Sequence, residues 1–247
     1  MQDKPRSPWG TAIAALGAVF VALIVARTAM HIARVKFHDQ TLSVTGSARQ
    51  RIRSDLVIWT CTISARGTDR ATAHTELTAG VARVRAWLVA RSIPESQIVI
   101  DSVETQDLHA RNQEGAEIPE QTIGYALSQS ITIESRDVDR VTEVSRAVTD
   151  LIHQGVAVQS HAPRYIFTEL ARLKIRLLAD ASRDARTRAE NIASQTQSRI
   201  RNLGSASMGV IQVNAANETE VTAEGVNDTT SLEKDALAVV RAVFYVE

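Results

Sequence analysis

The sequence is short of cysteine, of aromatic residues and of any surplus charge. Cys61 is its one cysteine. It has no internal disulfide partner, and a lone thiol cannot build a cysteine zinc cluster. Lys and Arg number 28, and Asp and Glu also number 28. A nucleic-acid binder carries a basic excess over at least one region, so this balance argues against nucleic acid as a partner. Aromatics make up only 4% of the chain, against 44% for all apolar residues. The core is therefore predicted to consist mainly of Val, Ile, Leu and Ala. Also missing are HExxH, the phosphate-cradling GxxxxGK[ST], GxGxxG and GxSxG. No catalytic residue and no cofactor is assigned on this basis.

What is present begins with a long apolar run. Residues 1–8 form a short tail with Lys4 and Arg6. Residues 9–26, WGTAIAALGAVFVALIVA, carry no charge. As a helix they would span roughly 27 Å, close to the hydrocarbon thickness of a bilayer. Trp9 and Arg27 suit the two interfaces. The pattern predicts an uncleaved transmembrane anchor over residues 9–30, because no small-x-small cleavage site follows. Gly10, Ala14, Ala18 and Ala22 recur at every fourth position, a spacing that lets two membrane helices approach closely. Arg27, Arg34 and Lys36 on the far flank balance Lys4 and Arg6, so charge does not set the topology.

Residues 31–40 read as a polar linker, and strand and helix signals follow. Strands are predicted at 41–47 and 55–66. In the second, Val57, Trp59, Cys61, Ile63 and Ala65 share one face, which makes Cys61 a buried structural thiol. Residues 69–91 are predicted to be helical through the stripe Leu77, Val81, Val84 and Leu88. A strand at 97–109, a polar connection at 111–121 and a strand at 122–134 come next. The last places Ile123, Tyr125, Leu127, Ile131 and Ile133 on one face. A helix at 138–153 is predicted to end at Gly155, followed by a strand at 156–167. The order suggests two strand–helix–strand units.

The longest predicted helix, 168–197, carries Leu170, Leu173 and Leu177 on its apolar face, then the alanine row Ala181, Ala185, Ala189 and Ala193, with Ile192 beside it. Alanines buried in register allow close approach by a sheet or helix. The arginines around them are matched in sequence: Asp180 with Arg183, Asp184 with Arg188, Arg186 with Glu190. Such pairs at three or four residues read as a self-neutralising rim. The alternative is a stripe for anionic lipid or nucleic acid. Final strands are predicted at 207–213 and 236–246. Residues 214–235 between them read as a mobile acidic loop. Asn217–Thr219 and Asn227–Thr229 match the glycosylation pattern, which matters only in a suitable secretory pathway.

One polar constellation stands out. On a regular strand, Asp101, Asp107 and His109 would share a face, with Asp107 and His109 about 7 Å apart. That face is the basis of an alternative reading, a metal-dependent enzyme. No metal ligand is assigned, because two or three dispersed groups are fewer than a metal site needs.

Several segments in order resemble the SIMPL-domain family of bacterial envelope proteins. They are TLSVTGSA with SDLVIWTCTISARG, IGYALSQSITIESRDVDRV, LADASRDARTRAENIA with RNLGSASMGVIQV, and KDALAVVRAVFYVE. They cover about residues 41–247, and the alanine-rich helix followed by a short LG-containing turn is the most recognisable part. The likeness is greatest to the subgroup with one N-terminal membrane anchor. One departure is ARQR after Gly46, where many relatives have further small residues. The resemblance implies an α+β fold with helices packed on β-sheet, a C-terminal domain in the periplasm held at the inner membrane by residues 9–30, and a tendency to self-associate. It also implies a link to envelope or oxidative stress without an agreed catalytic activity. The expected function is a non-enzymatic, membrane-anchored assembly or binding module acting as a homo-oligomer.

Overall fold

The computed structural model describes residues 21–28, 40–218, 222 and 224–247. Its strands are β1 (Thr41–Arg53), β2 (Leu56–Gly67), β3 (Ile98–Arg111), β4 (Glu117–Ser135), β5 (Val158–Ser160), β6 (Arg164–Ile166), β7 (Ile200–Met208), β8 (Gln212–Ala215) and β9 (Glu233–Val246). Besides the helical residues 21–28, its helices are α1 (Arg70–Ala90), α2 (Val138–Ala147) and α3 (Leu170–Gln195), with 3-10 turns at Glu95–Gln97 and Val148–Gln154. One sheet runs β3-β4-β2-β5, with β6 also on β2. The other runs β1-β9-β7, with β8 on β9. The described residues divide into two compact units, one drawn from 21–28, 40–48, 178–209 and 239–247, the other from 49–177 and 210–238.

The second unit holds the larger core. Val57, Trp59, Cys61, Ile63 and Ala65 alternate inward along β2 as predicted. β4 pairs antiparallel with β2 and adds Leu127, Ile131 and Ile133. The Trp59 indole is fully buried and donates to the Ser160 hydroxyl at 3.0 Å, which removes the penalty of an unpaired N–H. α1 starts where Asp69 accepts from the Thr72 amide at 2.9 Å, a normal N-cap. It buries Leu77, Val81, Val84 and Leu88, the expected stripe. α2 starts at the Asp137 cap. Its 3-10 extension ends at Gly155, whose φ of 77° lies in the left-handed region that glycine tolerates.

Several predicted boundaries shift. The connection at 111–121 shrinks to residues 112–116, because the Asn112 carboxamide accepts from the Glu114 and Ala116 amides and Gly115 turns with positive φ. The flanking residues then join the hairpin, and Arg111 pairs with Glu117. Ile123 consequently lies on a projecting part of β4 and is exposed. The predicted strand 156–167 splits into β5 and β6 around Pro163, which has no N–H for a ladder.

In the first unit, β7 pairs antiparallel with the end of β9. Val44, Ala185, Ala189, Ala242 and Phe244 form its core, with Leu42 and Ile200 packed against them. Leu203 and Gly204 lie inside β7 rather than in a turn, and the strand predicted at 207–213 is interrupted between β7 and β8. Ile192 is exposed, because a helix advances about 100° per residue and the close contact follows the narrower alanine row.

The transmembrane part of the predicted fold is corrected. Of residues 9–30, only 21–28 are described, as helix; Gly10, Ala14 and Ala18 lie outside the described residues, and Ala22 is exposed. Among the described residues no helix is long and apolar enough to cross a membrane. The long helix α3 carries charged residues along its length. Among the described residues the fold class is α+β, with no membrane-spanning helix.

Candidate functional site

The 101–109 face loses its premise. Register shifts separate Ile100 from Val103 and Leu108 from His109, so β3 is not regular over this stretch. Asp107 accepts from Arg70 at 3.2 and 3.4 Å. Asp101 accepts weakly from the Thr132 hydroxyl at 3.5 Å. The half-buried His109 has its Nδ1 enclosed without a hydrogen-bond partner among the described residues. Among those residues no three His, Cys, Asp or Glu side chains gather as a metal site would require. β-Bulges re-aim side chains, and here they break the alternation on which the shared face depended.

The alanine row is a buried seam. Ala181, Ala185 and Ala189 are completely buried and Ala193 nearly so. Their partner is β1. A Cβ built on Gly46 would lie 2.7 Å from the Ala185 Cα, and closer still to the Ala181 carbonyl oxygen and the Ala185 nitrogen. Those two atoms are the acceptor and donor of one turn of helix, so Gly46 sits directly over a backbone hydrogen bond. The Ser47 amide also donates to Asp184 at 2.8 Å. That bond first, and Arg188 after it, hold the Asp184 carboxyl below its usual range. The three arginine pairs form as their spacing predicts: Arg183–Asp180, Arg186–Glu190 and Arg188–Asp184, each at 2.8 Å.

Cys61 is completely buried, and burial pushes its thiol up to about 12. A thiol so protonated is a poor nucleophile and a poor metal ligand at neutral pH.

A polar cluster not assigned from the sequence lies in the second unit. Asp235, buried at the start of β9, accepts from Arg49 Nη2, from Arg51 Nε and Nη2 at 3.1 and 3.0 Å, and from the Asn217 amide at 2.8 Å. The Arg51 hydrogen bonds, with those of Arg49 and Asn217, outweigh burial and hold its carboxyl far below the usual carboxylate range. Beside it in sequence, Lys234 is 2% exposed and donates to the Tyr165 and Asp228 carbonyl oxygens. Burial pushes its amine down, against the pull of Asp228. Gln212 accepts from the Val226 amide and donates to the Thr222 carbonyl, both at 2.7 Å. These groups tie β1, β8, β9 and the 222–228 segment together. The Asp235 oxygens and the Lys234 amine are occupied by protein partners, so the cluster acts as a clamp rather than as acid–base machinery. A signal for it was present in the sequence. Arg49, Arg51 and Arg53 alternate in ARQRIR, which puts three guanidinium groups on one face of a strand. Such a row needs carboxylates opposite, and Asp235, Glu233 and Asp139 supply them.

A family model for SIMPL, described as a protein of unknown function (DUF541), matches residues 42–244. That range covers most of the chain and does not reach the apolar segment at 9–30. No curated protein matches the chain.

Proposed function

The chain belongs to the SIMPL family, and from that premise we propose that it is a non-catalytic binding and assembly module of the bacterial envelope. It works on the periplasmic side of the inner membrane, as the resemblance implies, and serves defence against envelope or oxidative stress. The observation that carries the assembly reading is the edge at β3, which no other strand covers among the described residues. This strand is 14 residues long and ends the β3-β4-β2-β5 sheet. Val99, Ile100 and Val103 along it are exposed, as is Ile123 on β4. A long edge with unpaired backbone groups and apolar side chains is a template for strand addition. A second copy is the occupant proposed, and association does not require any catalytic group.

Crosslinking of the full chain in intact cells tests this. A ladder of homo-oligomers is expected, and Val103→Lys should reduce it, since an edge lysine discourages pairing. A wild-type chain that crosslinks only as a monomer overturns the assembly reading. Location is tested separately. Alkaline phosphatase fused to the C-terminus should be active in a bacterial host, and an inactive fusion with an active cytoplasmic reporter reverses it.

A further inference from the structure

The outer face of the β3-β4-β2 sheet carries its side chains in rows set by the strand register. Ser64, Ser128 and Glu104 form one row across β2, β4 and β3, and Arg66, Ala126 and Gln106 form the next. Alternate residues of a strand point to opposite sides, so this face is the reverse of the one that buries Ile63, Ala65 and Leu127. The two rows, with Thr105 and Leu127 between them, line a cavity of about 280 Å³. Ala126 lies between Arg66 and Gln106, and its short side chain leaves the face hollow there. The volume lies just below the range of drug-sized sites, so its occupant is small.

The polar groups of this face fall into two sets. Further along it the hydroxyls pair across the strands, Thr60 with Thr132 at 3.1 Å and Thr62 with Ser130 at 3.0 Å. The Thr62 hydroxyl also meets His161 Nε2 at 3.0 Å. Such pairs satisfy one another and stabilise the sheet. The pattern stops at the cavity. Ser64 and Ser128 stand opposite each other in the same register, yet among the described residues neither hydroxyl makes a hydrogen bond. Arg66 and Glu104 carry opposite charges on the two sides of the cavity. Among the described residues neither side chain has a hydrogen bond or an ion pair. β4 lies between their strands, which sets their backbones about 10 Å apart across the sheet. Asp107, further along β3, already takes Arg70, so the free charges are confined to the cavity walls.

We propose that this cavity binds a small zwitterion, a free amino acid or a dipeptide, with its carboxylate on Arg66 and its ammonium group on Glu104. The guanidinium is a planar fork that matches two carboxylate oxygens, and the Glu104 carboxylate accepts from the ammonium group. The lining holds one cation and one anion. A zwitterion pairs both, whereas a simple anion or cation meets one attractive and one repulsive charge. Ser64, Ser128 and Gln106 supply neutral donors and acceptors between the two charges, and Ala126 leaves room for the carbon skeleton. The cavity opens on the face of the sheet and not at the β3 edge, so the site stands whether or not copies of the chain associate.

The test is titration of the 15N-labelled full chain with five probes: alanine, alanyl-alanine, N-acetyl-alanine, alanine amide and glucose. The two zwitterions are expected to shift the amide resonances of Arg66, Glu104, Ala126 and Ser128. N-acetyl-alanine lacks the ammonium group and alanine amide lacks the carboxylate, so each should bind about tenfold more weakly than alanine, or worse, for want of one charged hydrogen bond. Arg66→Gln should erase the advantage of alanine over alanine amide, and Glu104→Gln its advantage over N-acetyl-alanine. Both positions are exposed, so both variants should melt as the wild type does. Ala126→Leu keeps the charges and fills the hollow, and should abolish binding. Tighter binding of alanyl-alanine than of alanine assigns the site to a dipeptide, and the reverse assigns it to a free amino acid. Shifts with neither zwitterion, or shifts confined to other residues, overturn the proposal. So do one-charge probes that bind as tightly as alanine, a preference for glucose, or charge variants that bind as the wild type does.

Discussion

Helix α1 and helix α3 are both buried along one face, and they do it in opposite ways. α1 uses volume: Leu77, Val81, Val84 and Leu88 fill the space over β2. α3 uses its absence: Ala181, Ala185 and Ala189 bring the helix backbone onto β1. Two glycines, Gly80 in the middle of α1 and Gly46 of β1, differ in what they face. A Cβ on Gly80 of α1 would meet the Ile63 Cγ2 methyl at 3.1 Å, a side-chain atom that can move. A Cβ on Gly46 would meet helix backbone, which cannot. Large side chains supply more apolar burial and stabilise through area. A small-residue seam supplies little area and stabilises through close contact, so it tolerates truncation and resists enlargement.

The largest expected effect is in α1. Leu77→Ala should destabilise by about 2–5 kcal/mol, from lost burial and a cavity. Chemical denaturation measures it, and a cost under about 1 kcal/mol would show that α1 is loosely packed. Gly46→Ala comes next, at about 3 kcal/mol. Its sign is the informative part, because strand propensity alone predicts that alanine in place of a strand glycine stabilises. An unchanged or raised melting temperature would mean that the helix does not sit on β1. Ala185→Leu should cost about 1–3 kcal/mol by overpacking the same seam, while Arg186→Ala, from an exposed pair, should cost less than about 1 kcal/mol. Equal stability of these two variants would erase the distinction between seam and rim.

A pH series separates packing from charge. The folded Asp235 carboxyl lies below its unfolded value of about 3.9. Its contribution is therefore present above pH 4 and lost as pH falls toward the folded value. Asp235→Asn should lower the melting temperature at pH 7 and flatten the loss of stability on acidification. A variant with an unchanged acid profile would show that Arg49 and Arg51 do not hold the carboxylate. The smallest effect is expected at Gly80→Ala. The gain of about 1 kcal/mol in helix propensity opposes the 3.1 Å contact with Ile63, so the net change should stay within about 1 kcal/mol. A loss as large as that of Gly46→Ala would abolish the contrast between the two glycines.

The two candidate regions differ in how readable they were. The alanine row was legible as a buried seam, because four small residues at helical spacing define a face by themselves. Its partner was not. Gly46 stood out only as an isolated glycine before ARQR, and nothing local says that it covers the Ala181–Ala185 hydrogen bond. ARQRIR carried a usable alternation that was read only as a departure from the family pattern. The Asp101, Asp107 and His109 face was read from an ideal strand period, which the bulges in β3 break.

The sequence by itself determined the strand and helix pattern, the inward face of β2, the stripe of α1, the stop at Gly155 and the ion pairs around the alanine row. Each depends on residues within about one or two turns of one another, where periodicity and local hydrogen bonding act directly. Only the tertiary structure decided that Gly46 lies against α3 and that Asp235 joins Arg49 and Arg51 from 186 and 184 positions away. Those contacts are set by how distant segments close on one another. Chain closure depends on the packing of every element between them, and no local period encodes it.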